Sequence, residues 1–160
     1  GERVSGTGIV VTGNTVIDAL LSGADRDGEL PVVLDPTKRL ILVTAHLREN
    51  VGEPFERVCR PLLTLLQHNP DIQVLYPVHP NPNVHETAHR LLGKHPREVL
   101  CDPLVYLPYA AVMKRSDLIL SDSGGVHEEA PALGKPVWVR RHGTEATGAV
   151  DDGGVQGAAM

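Results

Sequence analysis

Aromatic side chains are nearly missing from this chain: one Trp, three Tyr and one Phe make up 3% of 160 residues. So sparse a set supplies no platform for single-stranded nucleic acid, whose bases stack on successive aromatic faces. A basic excess is missing too. Lys and Arg number 15 against 20 Asp and Glu, a formal net charge of −5, so nothing draws the chain to a polyanion or to an anionic membrane surface. No apolar run approaches the roughly 20 residues of a membrane-spanning helix. The opening Gly1-Glu2-Arg3-Val4 lacks the apolar core of a signal peptide. Cysteine is scarce: Cys59 and Cys101 each sit inside an apolar run, which predicts reduced core residues in a cytoplasmic protein rather than a disulfide framework. A Ser-His-Asp order and a G-x-x-x-x-G-K-[ST] phosphate loop are also lacking.

What is present is an alternation. Leu40-Ile41-Leu42-Val43-Thr44, Ile72-Gln73-Val74-Leu75-Tyr76, Val99-Leu100-Cys101, Leu118-Ile119-Leu120 and Val137-Trp138-Val139 read as short buried strands. Between them lie helical patterns at residues 55–67, 84–93, 106–116 and 125–133, with Gly93 as the expected C-cap of the second. A further helix starts at Thr15 and gives way to a polar loop over residues 22–36. Strands alternating with helices at this spacing predict βαβ units, hence one α/β domain with a parallel sheet and helices on both faces. Residues 151–160 carry no periodic apolar pattern and are expected to form an irregular tail.

Ligands of such sheets bind beyond the strand C-termini. That rule selects the loops after Thr44, Tyr76, Cys101 and Leu120, where the unusual residues collect. The last carries Ser121-Asp122-Ser123-Gly124-Gly125-Val126-His127-Glu128-Glu129. A strand, a tight turn and a helix start present unpaired N–H groups at a point that the helix dipole makes favourable for an anion. Gly124 and Gly125 let a phosphate approach the backbone, Ser123 adds a hydroxyl, and Glu128 or Glu129 can accept from ribose hydroxyls. The plainer alternative is a helix start with no ligand. In the loop after Thr44, His46 is either a loop histidine bonded to backbone or a phosphate or sugar contact. Arg48 either pairs with Glu49 or reaches a diphosphate. His79 stands between stiffening prolines. His85 and His89, four apart on one helix, lack a third ligand, and no metal is expected.

Several segments together carry a resemblance. Thr12-Gly13-Asn14-Thr15-Val16-Ile17-Asp18, Thr44-Ala45-His46-Leu47-Arg48-Glu49-Asn50, Tyr76-Pro77-Val78-His79-Pro80-Asn81-Pro82, Pro103-Leu104-Val105-Tyr106-Leu107-Pro108-Tyr109 and Asp122-Ser123-Gly124-Gly125-Val126-His127-Glu128-Glu129-Ala130-Pro131 occur in this order. They resemble the C-terminal half of the non-hydrolysing UDP-N-acetylglucosamine 2-epimerases, from about Val10 to about Val150. The resemblance implies half of a glycosyltransferase-B type architecture, a UDP-binding domain over residues 1–150, and no counterpart here of the family's N-terminal half. It implies interconversion of UDP-GlcNAc and UDP-ManNAc by C2 deprotonation, loss of UDP and re-addition to the other face of a glycal, with no nicotinamide or flavin. By the same resemblance, His46 sits at the diphosphate and reacting sugar as the catalytic residue. Ser123, Gly124 and Gly125 cradle the diphosphate with Arg48, Glu129 holds the ribose, the backbone around Tyr109 reads the uracil, and His79 falls in an allosteric site.

The family usually has Arg where this chain has Leu47, Gln at His127, and Arg at Ala146. The first departure weakens the allosteric assignment and the last removes a charge-assisted contact. The expected partners are UDP or UDP-GlcNAc and a second copy of the chain, and turnover by these 160 residues alone is not expected. A non-catalytic nucleotide-sugar or phosphate-binding module is the rival reading, and half of a glycosyltransferase is a third.

Overall fold

The computed structural model describes residues 13–24, 30, 32–44, 53–139 and 155–157. Its elements run α1 (Thr15–Ala24), β1 (Arg39–Thr44), α2 (Glu53–His68), β2 (Ile72–Pro77), α3 (Pro82–Leu91), β3 (Glu98–Cys101), α4 (Tyr106–Arg115), β4 (Leu118–Ser121), α5 (Gly124–Ala132), β5 (Val137–Val139) and β6 (Val155–Gly157). The strands form one sheet in the order β3-β2-β1-β4-β5-β6, every pair parallel. This is the doubly wound order of dinucleotide-binding folds, in which the chain reverses direction across the sheet between β1 and β4 and opens a crevice there. The α/β expectation of a parallel sheet covered on both faces holds.

Burial explains the strand sequences. In β1 the last five of six residues are buried, and β2 buries its first five. A strand covered on both faces has no solvent side to mark with polar residues, so it reads as a continuous apolar run. Leu40, Leu42, Leu75 and Ile119 face a core with α1, α4 and α5. Ile41, Val43, Val74 and Tyr76 face a second core with α2 and α3. Cys59 and Cys101 are unbridged and belong to opposite cores.

Four details depart from the sequence reading. First, α1 continues to Ala24 instead of yielding to a loop at residue 22. Gly23 marks close helix packing rather than a break, since a Cβ there would lie 3.2 Å from Leu107 and 3.5 Å from Tyr106 of α4. Second, α3 begins at Pro82, not Val84. Asn81 accepts from the Asn83 N–H at 3.0 Å as N-cap, and Pro82 fills a first-turn position that needs no N–H. Third, Gly93 is not a left-handed C-cap. Among the described residues only Gly13 and Gly134 have positive φ, and Leu92 is the cap. Glycine is required at 93 because a Cβ would meet the His89 carbonyl oxygen at 2.7 Å. Gly93→Ala is therefore expected to destabilise the fold by about 1–3 kcal/mol, as overpacking does, measured as a lowered urea midpoint. Fourth, the tail expected to be irregular contains β6, whose residues Val155 to Gly157 pair with Val137 to Val139. The open backbone edge of β5 supplies the partner that the tail's composition does not reveal.

The expected end of α5 is confirmed. Gly134 adopts φ 67°, its N–H donates to the Pro131 carbonyl at 2.8 Å, and the Lys135 N–H donates to the Ala130 carbonyl at 2.9 Å. These two bonds are the Schellman pattern that closes a helix on a glycine.

Candidate anion site at the β1–β4 crevice

The site is built on the turn between β4 and α5. Thr44 ends β1 and Ser121 ends β4, and the two are paired in register. The Thr44 hydroxyl donates to Ser121 Oγ at 2.7 Å, and the same Oγ accepts the Ser123 N–H at 3.0 Å. Ser123 is held extended at φ −89° and ψ 126° as N-cap of α5, and its own hydroxyl makes no capping bond. The N–H groups of Gly124, Gly125 and Val126 open the helix, where no intrahelical acceptor exists for them. No acidic residue lies in this first turn to offset the positive end of the dipole. At Gly125 a Cβ would have no atom within 4 Å, which makes the space over this amide open.

The second glutamate is placed by elimination. Asn14 caps α1 by accepting the Val16 N–H, and its amide donates to Glu128 Oε2 at 2.7 Å. Glu128 is thereby committed to α1. Glu129 is partly buried, and burial, then the neighbouring Glu128 charge, raises its carboxyl above the usual range. Tyr109 of α4 lies close enough to feel it: burial raises its phenol strongly and the Glu129 charge adds to this, with Thr44 acting in the opposite direction. Thr44, Ser121 and Ser123 thus form one hydrogen-bonded group at the crevice.

The expected site residues His46 and Arg48 lie outside the described residues, as do Leu47 and Ala146, where the chain departs from the family. His79 follows β2 on the same sheet edge, and its Nδ1 accepts the Asn81 N–H at 3.2 Å, a local loop contact. His85 and His89 approach with ring centroids 4.2 Å apart on exposed α3. Among the described residues no group of three or more His, Cys, Asp or Glu could hold a metal ion, and no helix is long and apolar enough to cross a membrane. The sequence reading missed the Thr44–Ser121 pair, whose only signal was a hydroxyl at the end of each of two apolar strands.

A parallel doubly wound sheet with an open helix N-terminus at its switch point defines an α/β domain of the nucleotide-binding type of fold. A family model described as UDP-N-acetylglucosamine 2-epimerase matches residues 1–157, and the chain belongs to that family. It is 48% identical to the UDP-N-acetylglucosamine 2-epimerase of Yersinia pestis, over 96% of this chain and 44% of the relative. A solved UDP-GlcNAc 2-epimerase from Neisseria meningitidis, bound to UDP-GlcNAc, superposes with TM-score 0.82 and 38% identity, over 96% of this chain and 44% of the other. A glycosyltransferase of kitacinnamycin matches in fold alone, at TM-score 0.58 and 19% identity, over 84% of this chain and 33% of the other. The chain spans 44% of the length of the Yersinia relative, and its fold is one half of a glycosyltransferase-B type architecture.

Proposed function

We propose that residues 1–150 are the UDP-binding domain of a UDP-N-acetylglucosamine 2-epimerase, acting on UDP-GlcNAc and UDP-ManNAc in the cytoplasm. The observation that carries this reading is the open N-terminus of α5 at the crevice, with unhindered space over Gly125. The diphosphate lies against the Gly124 and Gly125 amides and the Ser123 hydroxyl, with Arg48 as counter-charge. Glu129, the glutamate that Asn14 does not engage, accepts from the ribose hydroxyls. The backbone at Tyr109 receives the uracil, and His46 stands at the reacting sugar. His79 belongs to an allosteric site that Leu47, lacking a charge for phosphate, leaves incomplete. Self-association is part of this reading, supported by exposed Val33, Val105 and Trp138.

Epimerisation at C2 requires a positioned base and acid. We infer that the carboxylates for this come from outside these 160 residues and that the chain alone converts no UDP-GlcNAc. UDP-ManNAc formed by the purified chain, free of contaminating enzyme, would contradict this.

The site itself is tested by calorimetric titration of UDP and of pyrophosphate. UDP is expected to bind with a dissociation constant on the order of millimolar, about −4 kcal/mol. Glu129→Gln should weaken UDP several-fold and leave pyrophosphate unchanged, because the carboxylate serves the ribose. Equal losses for both ligands would remove the ribose role. Absence of UDP binding by the parent would overturn the reading.

A further inference from the structure

We infer that Thr44 and Ser121 are positioning residues of the anion-binding turn, joined at Ser121 Oγ, which accepts from both the Thr44 hydroxyl and the Ser123 amide. The inference rests on the UDP-binding reading for its effect on ligands, although the hydroxyl pair itself is defined by geometry. Thr44 is 7% exposed and Ser121 4% exposed. Buried hydroxyls at the ends of two core strands cost stability unless each finds a partner, and here each finds the other.

Both bonds converge on one atom. The Thr44 hydroxyl donates to Ser121 Oγ at 2.7 Å, and the Ser123 N–H donates to the same oxygen at 3.0 Å, which fills its two acceptor positions. The pair therefore links the end of β1 to the end of β4 and holds the Ser123 amide.

The consequence falls on the ligand although none of these hydroxyls needs to touch it. With its N–H tied to Ser121, Ser123 stays extended and the amides of Gly124, Gly125 and Val126 stay aimed at one point. Without that tie the turn must be ordered at the moment of binding, and affinity falls by that cost.

The test uses the full 160-residue chain and two readouts, calorimetric binding of UDP and pyrophosphate and amide exchange of Ser123 by NMR. Ser121→Ala and Thr44→Val are each expected to weaken both ligands about three- to tenfold, the range for one lost hydrogen bond, and to speed Ser123 exchange. Thr44→Ser should bind as the parent does. The double variant should be no weaker than Ser121→Ala, since the two act as one unit. Should Thr44→Val fail to fold, Ser121→Ala carries the test, since it removes the oxygen that both bonds share. Unchanged affinity in Ser121→Ala, or loss of UDP without loss of pyrophosphate, overturns the inference. If the parent binds neither ligand, the UDP reading fails, and Ser123 exchange decides the hydroxyl pair alone: faster in Ser121→Ala supports it, unchanged overturns it.

Discussion

Gly125→Val is expected to keep the fold and lose UDP. A Cβ at this position has no atom within 4 Å, and Gly125 does not have positive φ, so the variant meets neither a clash nor backbone strain. Helix propensity favours the variant, since valine is a better helix former than glycine by a few tenths of a kcal/mol. In the proposed site this open space is the approach of the diphosphate to the amide. An isopropyl group there removes the close backbone approach for any phosphate, so UDP and pyrophosphate should both weaken by at least about tenfold, or 1.4 kcal/mol. Titration beside a thermal unfolding curve separates the two effects. A variant as stable as the parent that binds UDP equally well would place the ligand elsewhere. The result differs in kind from Glu129→Gln, which should spare pyrophosphate.

The second large effect concerns stability. Glu98 opens β3 with only 8% of its surface exposed, and neither carboxylate oxygen has a hydrogen-bond partner. From α2, Cys59 and Glu56 act on the same region. Burial first, then the Glu98 and Glu56 charges, push the Cys59 thiol up to about 12. Glu56 is itself engaged by Arg90 and Arg60. The adjacent Arg97 donates to the carbonyls of Leu66, Asn69 and Ile72, and β2 presents the apolar Val74 in register. Among the described residues no cation pairs with Glu98, and burial raises its carboxyl to about 7.

Because the folded value lies above the unfolded one, the protonated form stabilises the fold. That contribution is full below about pH 4.5 and is lost as pH rises through about 7. Between pH 5 and 8 the loss is expected to be about 2 kcal/mol. His95 works in the opposite direction, since burial and then Arg97 lower its pKa, so the parent's own profile is partly flattened. Glu98→Gln isolates the effect. Its stability relative to the parent should rise between pH 5 and 8, read as denaturant midpoints. A parallel pair of profiles would contradict the assignment.

The central strands were legible because burial on both faces leaves only apolar residues, and α2 because one face alone is buried. What escaped the sequence depends on contacts that no local pattern encodes. Thr44 and Ser121 are 77 residues apart, and each reads singly as the polar end of a strand. The residue pattern alone leaves the two glutamates of α5 open and only the family resemblance singles out Glu129, whereas in the structure Asn14, 114 residues from Glu128, engages Glu128. Glu98 before three apolar residues reads as the exposed start of a strand, yet packing turns it inward. Gly23 reads as a breaker although its missing side chain admits α4. The turn at Ser123-Gly124-Gly125 was legible because its chemistry is local: a strand end, small residues and a helix start need no distant partner to present their amides.

The central claim is that UDP binds at this turn. Amide chemical-shift mapping of UDP added to the labelled 160-residue chain tests it most directly. The account predicts saturable shifts that are largest at Gly124, Gly125 and Val126, reproduced at those residues by pyrophosphate, with Glu129 and the Tyr109 backbone responding to UDP alone. Shifts that leave the three amides unmoved, or that centre on α3 or β3, would contradict it.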